Sequence, residues 1–185
     1  MENIQIYSDG GARSHVTKKL PIKYGSFTSV IYSDNKESMP KPIIVSDGFD
    51  NVTNNQMEIL GFIIPMMYFN KKENLEDVNI IFYSDSQYLI KGLEEWLPNW
   101  KKRNWKTASN KPVKNLREWQ LIDYIYNELK EKCNSFTLQW VRGHNGNPGN
   151  EKCDKNCTRV IKELDEEKIK PKNYIDLIER LTGGK

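Results

Sequence analysis

The stretch Val78 to Trp96, VNIIFYSDSQYLIKGLEEW, limits what this chain can fold into more than any other. Val78–Tyr83 is an apolar and aromatic run short enough to be a central strand buried on both faces. Ser84, Asp85 and Ser86 break the run, and Leu89, Ile90 and Leu93 then follow the spacing of an amphipathic helix. A carboxylate at that junction lies at the carboxyl edge of a strand, just outside the core. By itself Asp85 or Ser84 would be read as a helix cap. Three further stretches place acids at comparable junctions, and the four call for a common explanation.

Asn3–Ser8 alternates around Ile4 and Ile6 and ends at Asp9-Gly10-Gly11, which reads as a strand entering a turn. A polar, basic loop with Arg13, His15, Lys18 and Lys19 follows. Tyr24–Tyr32 and Ile43–Val45 are two more strands, joined through Ser33–Ser38, Pro40 and Pro42, so an antiparallel meander is expected. Thr53 or Asn54 can cap an apolar helix over Met57–Phe69, with a bend at Pro65. Glu58 lies one turn into that helix, where the helix dipole alone would account for an acid.

Net charge is only +3, so distribution matters more than the total. Leu97–Arg117 holds Lys101, Lys102, Arg103, Lys106, Lys111, Lys114 and Arg117 without an acid, and Trp100 and Trp105 sit among them. Phosphate attraction combined with stacking explains exposed tryptophans among lysines better than a solvated charge run does. Leu116–Lys132 is a helix with Trp119, Ile122, Tyr126 and Leu129 on one face, and Phe136–Val141 is a last strand. Residues 142–154, RGHNGNPGNEKCD, form a mobile loop carrying His144, with Asn150 as cap of the next helix and Asp154 in its early turns. The charged tail has a short amphipathic piece at Tyr174–Leu181.

Asp9, Glu58, Asp85 and Asp154 can meet at one edge of a mixed sheet. Unneutralised they repel, and some must hold protons. Divalent cations remove the conflict, and hard oxygen ligands favour Mg²⁺ or Mn²⁺ over zinc. Two such ions about 4 Å apart can clamp the attacking and leaving oxygens of a phosphodiester displacement. Cys153 and Cys157 near His144 suggest zinc, but no fourth ligand is evident. With Val160, Ile161 and Leu164 they also form one helical stripe, so packing is the better account. The odd count of three cysteines argues against a disulfide framework and for a reducing, cytoplasmic setting. No apolar run approaches the roughly 20 residues of a membrane span, and the start lacks the features of a secretory signal.

IYSDGG, TNNQMEI, YSDSQYLIKG and VRGHNGNPGNEKCD, in that order, resemble the four active-site motifs of type 1 ribonuclease H. Residues 96–115, WLPNWKKRNWKTASNKPVKN, resemble that family's basic protrusion. The resemblance implies an α/β, ribonuclease H-like fold: a five-stranded mixed sheet of order 3-2-1-4-5 flanked by helices. It implies a catalytic domain over residues 1–160 with a charged helical extension over 161–185. The implied activity is endonucleolytic hydrolysis of the RNA strand of RNA–DNA hybrids with two Mg²⁺ ions, Mn²⁺ being a possible substitute. The ends left are 5′-phosphate and 3′-hydroxyl, and the enzyme is expected to be a monomer.

Carried over residue by residue, Asp9, Glu58, Asp85 and Asp154 match the metal-binding acids, and His144 matches a loop histidine tied to proton transfer or product release. Asn54, Asn55 and Gln87 match positions contacting the hybrid near the cut. Thr53 and Asn115 match positions holding a DNA phosphate. Trp100 lines the DNA-strand channel, and Lys101, Lys102, Arg103 and Lys106 supply the protrusion's charge. The sequence departs from the family at Gly11–Lys23, which replaces a compact turn, and at Asn51, where some members place an arginine. A nuclease or recombinase sharing the fold is the rival reading, opposed by TNNQ before Glu58 and by the GHNGNPGNE loop. An inactive hybrid-binding module would need a missing acid, and none is missing.

Overall fold

The computed structural model describes residues 1–15 and 22–183. Strands β1 (Glu2–His15), β2 (Ile22–Ser33), β3 (Ile43–Asp50), β4 (Val78–Ser84) and β5 (Ser135–Trp140) form one sheet in the order β3-β2-β1-β4-β5. The first three pair antiparallel, as the short connections require, while β4 is parallel to β1 and β5 to β4. Parallel neighbours need crossovers. Helix α1 (Asn54–Asn70) precedes β4, and α2 (Gln87–Lys91), α3 (Leu97–Lys102) and α4 (Leu116–Lys132) lie between β4 and β5. Helices α5 (Pro148–Asp165) and α6 (Tyr174–Leu181) complete the chain.

Successive strand residues point to opposite faces, and β1 uses both. A Cβ on Gly10 would collide with the α1 backbone, whereas Tyr7 lies against Gly149 of α5. The main core fills the α1 side, where Ile6, Phe62, Phe82, Trp119 and Ile122 are fully buried in one cluster. Wedged between the sheet and α4, α1 is apolar on nearly every side. It runs on through Pro65, which cannot donate to the carbonyl of Gly61. The Ser29 hydroxyl donates to that carbonyl instead, at 2.8 Å.

Two local expectations fail for physical reasons. The turn expected at Asp9-Gly10-Gly11 is absent: β1 continues to His15, with Asp9 opposite Thr28 and His15 opposite Ile22. Gly10 serves close approach rather than turning, since a Cβ there would lie 2.4 Å from the backbone nitrogen of Glu58. Lys18 and Lys19 of the expected loop lie outside the described residues. At the other end, Asn147, not Asn150, caps α5, accepting from the N–H groups of Gly149 and Asn150 at 3.1 Å each. Pro148 occupies the first turn, where a missing N–H costs nothing. Residue 160 falls inside α5, whose buried stripe continues through Ile161 and Leu164.

Candidate active site

The pairing of β1 with β4 ends at Ser8 opposite Ser84, so Asp9 and Asp85 leave adjacent parallel strands side by side. Glu58 comes from the second turn of α1, drawn in by the close passage of Gly10. One carboxylate oxygen from each of Asp9, Glu58 and Asp85 lies within 4.8 Å of the others. Among the described residues no lysine or arginine pairs with any of the three. Burial, and then the charge of Asp85, push the Asp9 carboxyl up to about 6, against the pull of the Gly10 N–H that donates to it at 2.8 Å. Glu58 is raised well above the ordinary range by burial and by both aspartates. Its Oε2 is enclosed without a hydrogen-bond partner.

A buried acceptor left open beside two other carboxylates fits a hard divalent cation. Asp154, on α5, stands outside the three-acid cluster. Its Oδ2 is 3.8 Å from His144 Nδ1, and its charge adds to the upward shift of Asp9, so it faces the same site. His144 is well exposed, with a left-handed backbone at φ 52°.

Asp85 is held from three sides, and none of these contacts was legible in the sequence. Asn150 Nδ2 donates to its Oδ2 at 3.2 Å, and Trp140 Nε1 donates to its backbone carbonyl at 3.1 Å. Gly143 leaves the space: a Cβ there would sit 2.5 Å from Oδ2. Ser86, rather than Asp85 or Ser84, caps α2, so the Asp85 carboxylate is not spent on a helix end.

Among the described residues neither Cys153 nor Cys157 belongs to a group that could hold a metal ion, which favours packing over zinc. Cys153 and Cys157 are buried and lean on the carbonyls of Tyr7 and Asp9. Burial pushes the Cys157 thiol up to about 12 and Cys153 further, so neither is a thiolate at neutral pH.

Around the acids, Thr53 is the α1 cap in a reciprocal capping box with Gln56. Asn54 Oδ1 accepts from the Ala12 N–H at 2.7 Å, which ties the helix start to β1 and leaves its NH₂ group outward. Asn55 and Gln87 are exposed. Asn115 opens α4 in a left-handed conformation, φ 55°, with no side-chain cap. Its Nδ2 donates to the Tyr88 hydroxyl at 3.3 Å, where Trp119 Nε1 also donates, at 3.0 Å.

In the basic arm Lys102, Arg103 and Lys106 are exposed, while Lys101 is paired with Asp123 at 2.9 Å. Trp100 and Trp105 are not the exposed aromatics the sequence suggested: both are partly buried against the main core. The Trp100 ring packs 5.3 Å from that of Trp119 and 5.8 Å from that of Trp96. It still borders a shallow cleft with Asn99, Arg103 and Lys106.

This sheet order, with carboxylates gathered where β1 and the end of β4 meet, is the arrangement of the ribonuclease H-like class. The ribonuclease H family model matches residues 1–162, and the chain belongs to that family of endoribonucleases, which act on the RNA strand of RNA–DNA hybrids. The ribonuclease H of Cupriavidus pinatubonensis is 36% identical over 164 residues, spanning 89% of this chain and 99% of that one. A ribonuclease HI of Pseudomonas putida is 40% identical over 163 residues, or 88% and 96% of the two chains. Among solved structures, LC9-RNase H1, a type 1 RNase H with the type 2 active-site motif, aligns with a TM-score of 0.61 at 19% identity. That alignment covers 85% of this chain and 71% of the other. LC11-RNase H1, solved with an RNA/DNA hybrid, aligns at 0.54 with 16% identity over 85% and 99%.

Proposed function

We propose that this chain cleaves the RNA strand of RNA–DNA hybrids internally, leaving 5′-phosphate and 3′-hydroxyl ends, and that Asp9, Glu58, Asp85 and Asp154 hold two Mg²⁺ ions for the purpose. The observation that carries the reading is the three-carboxylate cluster with the enclosed, unpartnered Glu58 Oε2. Divalent cations bound there supply the positive charge that a phosphodiester displacement needs at its attacking and leaving oxygens.

The chain's own residues divide the remaining work. Asn150 and Gly143 fix the aim of Asp85. His144, exposed and close to Asp154, is placed to move a proton or ease product out. Asn54, Asn55 and Gln87 offer amides, each able to donate and accept, to the 2′-hydroxyl side of the hybrid. Thr53 and Asn115 hold a DNA phosphate. Lys102, Arg103 and Lys106, with Trp100 behind them, carry the DNA strand, and Lys101 contributes less because Asp123 already neutralises it. No described helix is long and apolar enough to cross a membrane. We place the enzyme in the cytoplasm as a monomer; buried, protonated cysteines agree with a reducing compartment.

The test is a labelled RNA–DNA hybrid incubated with Mg²⁺ or Mn²⁺, with single-stranded RNA and duplex DNA as controls. Metal-dependent cuts confined to the RNA of the hybrid are expected. Cleavage of duplex DNA at a similar rate would instead favour a different nuclease of the same fold.

A further inference from the structure

The last helix bears on the substrate side. Four of the described helices begin with a side-chain cap, namely Thr53 for α1, Ser86 for α2, Asn147 for α5 and Asn173 for α6. Helix α4 does not; Asn115 starts it in a left-handed conformation that makes no capping bond. Its first turn is fastened from outside. Tyr88 receives the Asn115 and Trp119 donors. In the same turn, Glu118 is only 7% exposed and accepts from the Tyr174 hydroxyl of α6 at 2.7 Å.

The other side of Tyr174 faces the start of α1. It packs in one buried cluster with Phe49, Val52 and Met57, its ring 6.2 Å from that of Phe49 and nearly perpendicular to it. Val52 immediately precedes Thr53, and Met57 follows it by one turn. Next to Tyr174 the tail is laid along β3, where the Lys172 N–H donates to the Gly48 carbonyl at 2.8 Å and the Lys172 ammonium pairs with Asp47. Tyr174 therefore touches the ground beneath Thr53 with its ring and the first turn of α4 with its hydroxyl.

We infer that Tyr174 and Glu118 form a strut setting the separation of Thr53 from Asn115, and that α6 is a positioning element for a nucleic-acid phosphate held between them. This rests on the proposed hybrid-binding role of those two residues. It adds a link between the start of α1 and the start of α4 that neither helix shows alone. Two uncharged groups bind one phosphate together only if their spacing matches it, so a loose spacing weakens binding without touching the acids. Burial and the Glu118 carboxylate hold the Tyr174 phenol far above its ordinary range, so it remains a donor.

Steady-state cleavage of a labelled hybrid by the full chain, together with thermal unfolding, tests the strut in three variants. Tyr174→Phe removes the donor and leaves Glu118 buried without it; KM should rise roughly three- to tenfold with kcat within about twofold of the parent. Glu118→Gln keeps an acceptor for the Tyr174 hydroxyl and should leave KM near the parent value. Tyr174→Phe with Glu118→Leu removes both polar groups, so thermal stability should recover while KM stays raised. If KM in the double variant returns to the parent value along with stability, the contact is only structural and the inference is overturned. An unchanged KM in a folded Tyr174→Phe variant overturns it too, and in both cases the cleavage reading stands because the parent cuts hybrid. A parent that cuts no hybrid in Mg²⁺ or Mn²⁺ instead overturns that reading and the strut's role with it.

Discussion

Glu58 and Glu118 are both drawn in from solvent, yet their surroundings are opposites. Glu118 receives a hydroxyl at 2.7 Å and has no other carboxylate in the metal-sized cluster. Glu58 has an enclosed oxygen with no partner and two aspartates within ligand distance. A buried carboxylate that the fold satisfies belongs to the fold. One that the fold leaves unsatisfied, and surrounds with like charge, is held ready for something from outside. The contrast separates a strut from a site without appeal to any relative.

The largest effect expected comes from the unsatisfied side. Asp85→Asn keeps shape and the Asn150 contact but removes a charge from the cluster, so cleavage should fall by several orders of magnitude while hybrid binding, followed by fluorescence anisotropy, persists. His144→Ala should cost less, roughly 10²–10⁴-fold as for general acid–base help. Equal losses in the two variants would erase the division between the cluster and the loop.

Smaller effects follow in the basic arm. Replacing Lys102, Arg103 and Lys106 by Ala should mainly raise KM and flatten the salt dependence, by about 0.9 in log K per log salt for each phosphate no longer neutralised, on the B-DNA scale. Lys101→Ala should change the slope least, because Asp123 already neutralises it. A salt slope identical to the parent's after the triple change would mean that the arm does not touch substrate.

The smallest effect is on stability, and its sign is the informative part. Asp9 titrates near 6 in the folded, metal-free chain against a reference of 3.8. The folded state therefore binds the extra proton between roughly pH 4 and 6, and stability is lost as pH rises through that window. Asp85→Asn removes one cause of the shift, so the fall with pH, measured by denaturant unfolding without metal, should be shallower in the variant.

What the sequence disclosed, and what it hid, follows the same physical line. Periodicity marked the strand before Asp85, the α4 face from Trp119 to Leu129 and the short α6, because each depends on its own residues. The family motifs named the four acids, and the geometry gathers three of them while setting Asp154 beside His144. Long-range accommodation was hidden. Gly10 looks like a turn residue until α1 is seen passing over it, and Asn150 looks like a cap until its amide is found on Asp85. Trp100 looks exposed among lysines until Trp96 and Trp119 close around it. Glu118 and Tyr174 are 56 residues apart, and no local pattern links them.

An acid cluster that awaits cations destabilises the metal-free fold. Thermal unfolding at pH 7, with and without millimolar Mg²⁺, tests it in the parent and in Asp85→Asn. The variant should melt higher than the parent without metal, by roughly 2–5 °C for a chain of this size. Mg²⁺ should raise the parent's Tm and leave the variant's nearly unchanged. Equal melting temperatures without metal, together with no response of the parent to Mg²⁺ or Mn²⁺, would show that the acids are not a cation site.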